Sequence, residues 1–177
     1  MPPNGKITDN DAEWYNLEQE TRLAVIFNHS KYQDDKERRC DPRTGTEVDV
    51  KSIKETFENL NFKVEVLEDP TLKNIKKKIS DMKNRKNLCI LTLFILTHGD
   101  ENGFLQAYDK GYYFDETILN QLLPDVCPTL AGRPKLMFIQ ACQGKKLDAG
   151  QLLNTSGKST QERLKVLRLL GLLLQSL

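Results

Sequence analysis

The run LCILTLFIL, Leu88–Leu96, constrains this chain more than any other stretch. It is continuously apolar apart from Thr92, yet far too short to cross a bilayer, which takes about 20 residues. Such a run reads as a strand covered on both faces, because a strand with one wet face would alternate apolar and polar residues. RLAVIFN at 22–28 and KLMFIQA at 135–141 are likewise mostly apolar strands, and KVEVL at 63–67 reads as a further strand. Between these strands the period becomes helical. From Thr46, which can cap the start, Val50, Ile53, Phe57 and Leu60 recur at spacings of three and four, with Asn61 as a left-handed stop. Pro70 and Thr71 open a second helix with Leu72, Ile75, Ile79 and Met82 on one face and Lys73, Lys76, Lys77 and Lys78 on the other. FLQAYDKGYYF reads as a hairpin, and a third helix is expected near 115–123. Strands alternating with helices predict an α/β fold, with a mostly parallel central sheet and helices on both faces.

At 177 residues and 20.3 kDa the chain can bury the core of one domain. A short segment, 1–14, precedes a domain over 15–150, and its Asp9 and Asp11 lie in a polar stretch suited to proteolytic nicking after Asp11. Beyond Gly150 the sequence is leucine-rich, without aromatics and without a strand signal, so 151–177 is expected to be a divergent tail forming one amphipathic helix. GKS at 157–159 does not make a phosphate loop, since the glycine spacing is wrong and no strand leads into it.

Charge excludes several partners. With 26 basic against 25 acidic side chains, no global field favours nucleic acid or an anionic membrane. The lysines of the second helix read as a solvated face, because no aromatics interleave with them. The N-terminus carries no signal-peptide run, which predicts a cytoplasmic protein. Cys40, Cys89, Cys127 and Cys142 lie far apart, with no CxxC pair and no close Cys/His pair, so neither a disulfide framework nor a metal site is expected, and no cofactor.

In an open α/β sheet, ligands bind beyond the carboxyl ends of the strands. His98 stands just past LCILTLFIL and Cys142 just past KLMFIQA. If those strands run parallel and close together, an imidazole and a thiol share one crevice. The imidazole can then take the thiol proton, the thiolate attack a carbonyl, and the imidazolium protonate the leaving amine. Gly99 and Gly144 beside them permit tight turns, so that the N–H groups of Gly99 and Cys142 can face an oxyanion. Taken singly, a cysteine at a strand end is ordinarily a small buried hydrophobe, and a lone histidine an ordinary loop residue.

The motif read whole says more. QACQG at 140–144, with His98 well upstream, resembles the local signature of the caspases. YNL at 15–17, AVIFNHSKY, PRTGTEVD at 42–49, THGDENG and GRPKLMFIQACQG resemble five ordered blocks of the same family's large subunit. The resemblance covers about 15–150 and implies a cysteine endopeptidase that cuts after aspartate, in apoptosis or related proteolytic signalling. It implies Cys142 as nucleophile, His98 as acid/base, Gly99 and Cys142 as oxyanion donors, and Arg43 and Gln140 as the pocket for the substrate aspartate. A guanidinium fork matches a carboxylate, and an amide adds neutral donors.

The family's small subunit, with its further strands and second pocket arginine, is not visible after Gly150. The short N-terminus resembles the executioner type. The partners implied are proteins with aspartate before the cut bond, a caspase small subunit or homologue, and inhibitor-of-apoptosis proteins. The alternative is a catalytically incomplete homologue that binds and regulates active caspases, and without the family's small subunit the resemblance implies weak or no turnover by the lone chain.

Overall fold

The computed structural model describes residues 21–33, 40–100, 103–141 and 165–167. Asp9 and Asp11 lie outside them. Strand β1 is Thr21–Asn28, followed by helix α1 at Thr46–Asn59, β2 at Lys63–Glu68, α2 at Leu72–Lys83 and β3 at Leu88–Leu96. A hairpin of β4, Phe104–Gln106, and β5, Gly111–Tyr113, leads to the one-turn helix α3, Phe114–Thr117. β6, Lys135–Gln140, and β7, Lys165–Leu167, complete a five-stranded sheet in the order β2-β1-β3-β6-β7. Every pairing within that sheet is parallel.

The chain steps outward from β1 to β2 through α1, then back across β1 to β3 through α2. Right-handed crossovers in opposite directions put their helices on opposite faces. Side chains divide accordingly. Leu23, Val25 and Phe27 of β1, with Leu91, Leu93 and Ile95 of β3, pack against Ile75, Ile79 and Met82 of α2. Ala24, Ile26, Phe94 and Leu96 point the other way, onto Val50, Ile53 and Phe57 of α1. Period-two alternation with both faces covered is why β3 carries no wet side. On the α1 face, Phe94 stacks on Phe138 at 4.8 Å and meets Phe57 edge-on at 4.9 Å, arrangements that suit the ring quadrupoles.

Helix signals were partly legible. Thr71 caps α2, its side chain accepting from Asn74 N–H at 3.2 Å, and Asn61 ends α1 at φ 60°. Thr46 does not cap α1. That position belongs to Gly45 in a left-handed conformation, without a side-chain cap bond. The Thr46 hydroxyl instead donates to Asn28 Oδ1 at 2.6 Å and accepts from Arg43 Nη1 at 3.1 Å, so its oxygen serves the guanidinium and not the N–H groups of the first turn. The helix expected over 115–123 is α3 plus a 3₁₀ turn at Leu119–Leu122. In the tail only 165–167 is described: where one helix was expected it forms β7, paired with Leu136–Phe138 of β6, and the rest of 151–177 lies outside the described residues. An open strand edge presents a row of backbone donors and acceptors, and an apolar segment that satisfies them is held there whatever its own propensity.

Candidate active site

β1 and β3 are neighbours whose onward connections leave on opposite faces of the sheet, so the crevice of this fold opens beyond their carboxyl ends. The chain places His29, Ser30 and Tyr32 there after β1, Thr97, His98 and Gly99 after β3, and Gln140 and Ala141 at the end of β6. Register ties the strand ends together. Leu96 lies opposite Asn28 on one side and Gln140 on the other, and Thr97 N–H donates to the Gln140 carbonyl at 3.0 Å.

His98 is half-buried. Its Nε2 sits 2.8 Å from the Asp41 carbonyl oxygen. A carbonyl can only accept, so Nε2 carries the proton and Nδ1 is the nitrogen left with a lone pair. The ring lies 5.1 Å from that of Tyr32, tilted by 31°. Gly99 is required by close approach rather than by a left-handed φ. A Cβ there would come within 2.7 Å of the Phe104 carbonyl oxygen and 3.0 Å of Ala141. That contact belongs to the bridge between Gly99 and Leu105, which docks the β4–β5 hairpin against the loop after β3.

Arg43 and Gln140, 97 positions apart in the chain, meet here, with Arg43 Nη2 donating to Gln140 Oε1 at 3.1 Å. Nη1 donates to the His29 carbonyl at 3.3 Å and to Thr46 Oγ1 at 3.1 Å. Thr46, 3% exposed, donates its hydroxyl hydrogen bond to Asn28 Oδ1, and the Asn28 amide donates to Glu68 Oε2 at 2.7 Å. A chain of hydrogen bonds thus runs from the end of β2 to the guanidinium. Each member fixes the next, so the fork is oriented before any ligand arrives. The guanidinium has more N–H donors than these contacts use, leaving capacity for a carboxylate.

Cys142 lies outside the described residues, so its thiol and its N–H have no place in this geometry. Two other residues carry weight that the sequence reading did not assign. His29 is fully buried, bonds the Leu96 carbonyl through Nδ1 at 3.2 Å, and has its pKa lowered to about 4, chiefly by burial. Asp69 gathers the turn after β1, its Oδ1 accepting from Ser30 N–H at 2.7 Å and Lys31 N–H at 2.9 Å. Cys40 is half-buried, whereas Cys89 and Cys127 are buried.

Comparison with known proteins gives concordant results. A family profile described as Caspase domain matches residues 21–167. The chain is 41% identical over 158 residues to Caspase-1 of Drosophila melanogaster, covering 84% of this chain and 47% of that protein. It is 39% identical over 166 residues to Caspase-1 of Spodoptera frugiperda, covering 89% and 54% respectively. The crystal structure of Caspase-1 from Spodoptera frugiperda superposes with a TM-score of 0.73 at 34% identity, covering 91% of this chain and 64% of that one. The chain therefore spans about half the length of the curated relatives it matches.

Proposed function

The chain belongs to the caspase family, and from that premise we propose that it carries the machinery of a cysteine endopeptidase that cuts peptide bonds after aspartate. The observation that carries this reading is the convergence of Arg43 and Gln140 at 3.1 Å, beside the strand end that bears His98. An oriented guanidinium and a neutral amide make a site for a carboxylate, and the proton-accepting nitrogen of His98 lies at the same edge of the sheet.

In this mechanism His98 Nδ1 takes the Cys142 thiol proton and the sulfur bonds to the backbone carbonyl carbon of the bound aspartate. The carbonyl electron pair moves to oxygen, where the N–H groups of Gly99 and Cys142 receive it. Collapse breaks the C–N bond, and the imidazolium gives its proton to the leaving amine. Water, deprotonated by the same nitrogen, then attacks the thioester, and the thiol is regenerated. The substrates proposed are proteins in apoptosis or related proteolytic signalling within the cytoplasm, the partner a caspase small subunit, and the regulators inhibitor-of-apoptosis proteins.

The test is hydrolysis of a fluorogenic aspartyl peptide by the full chain, alone and with a caspase small subunit supplied in trans. The expected result is turnover that Cys142→Ala abolishes and that falls about 100-fold with asparagine in place of aspartate, since the charge-assisted pair between the half-buried Arg43 and a carboxylate is lost. Turnover that survives Cys142→Ala, or is indifferent to aspartate, overturns the proposal. Silence in both arms, with binding to an active caspase, favours the regulatory homologue instead.

A further inference from the structure

Tyr32, in the loop after β1, is half-buried and touches His98 in two ways. Its ring packs on the imidazole at 5.1 Å. Its hydroxyl accepts from the His98 backbone N–H at 3.1 Å and lies 3.1 Å from Thr97 Oγ1. The direction of the latter bond follows from proton count. Thr97 has one hydroxyl proton and directs it to the Gln106 carbonyl, so the phenol donates to Thr97 Oγ1. Gln106 N–H in turn donates to the His98 carbonyl at 2.9 Å.

The bonds close a circuit: His98 N–H to Tyr32, Tyr32 to Thr97, Thr97 to Gln106, and Gln106 back to His98. Both backbone polar groups of His98 are engaged, and the three bonds that run through the Tyr32 and Thr97 hydroxyls polarise one another. A phenol keeps its proton at neutral pH in any case, and burial raises its pKa further. With Nε2 donating to the Asp41 carbonyl, the imidazole is held by its backbone, its face and one ring nitrogen. Tyr32 supplies two of those three holds.

We propose that Tyr32 is a positioning residue for His98, holding the imidazole in the orientation from which Nδ1 serves the Cys142 thiol. This rests on the Cys142–His98 reading above. Tyr32→Phe is the informative change, since it keeps the ring and removes only the hydroxyl that closes the circuit.

The experiment measures alkylation of Cys142 by iodoacetamide at pH 7 in the full chain, read by mass spectrometry, with the melting temperature of each variant alongside. His98→Ala is expected to slow the reaction, and Tyr32→Phe to slow it about 5-fold, the size of one ordinary hydrogen bond. In a His98→Ala background Tyr32→Phe is expected to change the rate less than about twofold, because the two effects share one route. Tyr113→Phe, the same change at a half-exposed residue of the hairpin, is expected to leave the rate within about twofold. If His98→Ala slows labelling and Tyr32→Phe does not, the positioning role is overturned while the dyad stands. If Tyr32→Phe slows labelling equally with and without His98, its effect does not pass through the imidazole and the role is again overturned. If His98→Ala has no effect, the dyad falls and this inference with it. Should Tyr32→Phe fail to fold, Thr97→Val opens the same circuit at its next member and is judged by the same outcomes.

Discussion

Two histidines stand at neighbouring strand ends, and burial separates their chemistry. His98 is half-buried at the rim of the crevice, while His29 is fully covered. Burial lowers the His29 pKa from 6.5 to about 4, against the weaker raising effects of the Leu96 carbonyl and Asp69. Between those values the unfolded chain binds a proton that the native chain refuses. His29 therefore costs nothing above about pH 6.5, and stability falls as the pH drops towards 4, by on the order of 3 kcal/mol. Urea unfolding at pH 7 and pH 4.5 is expected to show a large loss for the wild type and a smaller one for His29→Gln. Glu65 acts in a lower window. Burial alone would raise its pKa, but bonds and charge from Lys78 and Arg85 bring it to about 2, so its contribution is lost only between about 4.5 and 2. The His29→Gln variant should consequently hold its stability until the pH passes below about 4.5. An equal loss in both proteins between pH 7 and 4.5 would assign the acid sensitivity to other groups.

Elements were legible wherever a period and a cap agreed. α2 has both: Thr71 caps it, Ile75, Ile79 and Met82 are buried, and Lys73, Lys76 and Lys77 are exposed, whereas Lys78, expected on the same solvated face, is mostly covered and paired with Glu65. Ile79, 2% exposed, fills the space between α2 and the sheet, whereas Leu60, at the end of the equally regular α1, is 52% exposed. Ile79→Ala is expected to cost about 2–5 kcal/mol and Leu60→Ala less than about 0.5 kcal/mol, read from denaturant midpoints at constant slope. A comparable cost at both positions would mean that the spacing, and not the packing, carries the stability. α3 was misjudged because its residues answer to the hairpin before it. Phe114 N–H bonds the Gly103 carbonyl, and Phe114 itself is buried. Its side chain is committed to the core, and the helix stops after a single turn.

For the molecule as a whole, the order β2-β1-β3-β6-β7 decides where the chemistry can be. The connections leaving β1 and β3 depart on opposite faces of the sheet, and the loops carrying Tyr32, Arg43 and His98 meet beyond those strand ends. β7 closes part of the β6 edge, pairing with Leu136–Phe138. Val166→Pro removes a backbone donor from β7 and should weaken that pairing. The expected outcome is faster amide exchange over 136–138, with α1 and β1 unchanged. Unchanged protection at 136–138 would show that β7 adds nothing to the edge it lies against.

Much of this was written locally. β3 runs over Leu88–Leu96 as its apolar pattern predicts, because a strand buried on both faces has no freedom to alternate. The parallel sheet with helices on both faces follows from strands and helices in succession. His98 was found from its place after that strand, and the roles of Arg43 and Gln140 were suggested by family resemblance alone. What no local pattern could supply was partnership across the chain. Thr46 looked like a cap and is a relay between Asn28 and Arg43; His29 looked like a loop residue and is buried; 165–167 looked helical and is a strand. Each was settled by which polar group lay opposite once the sheet had assembled, since a buried donor or acceptor takes the partner that tertiary contact offers over the one its neighbours in sequence could provide.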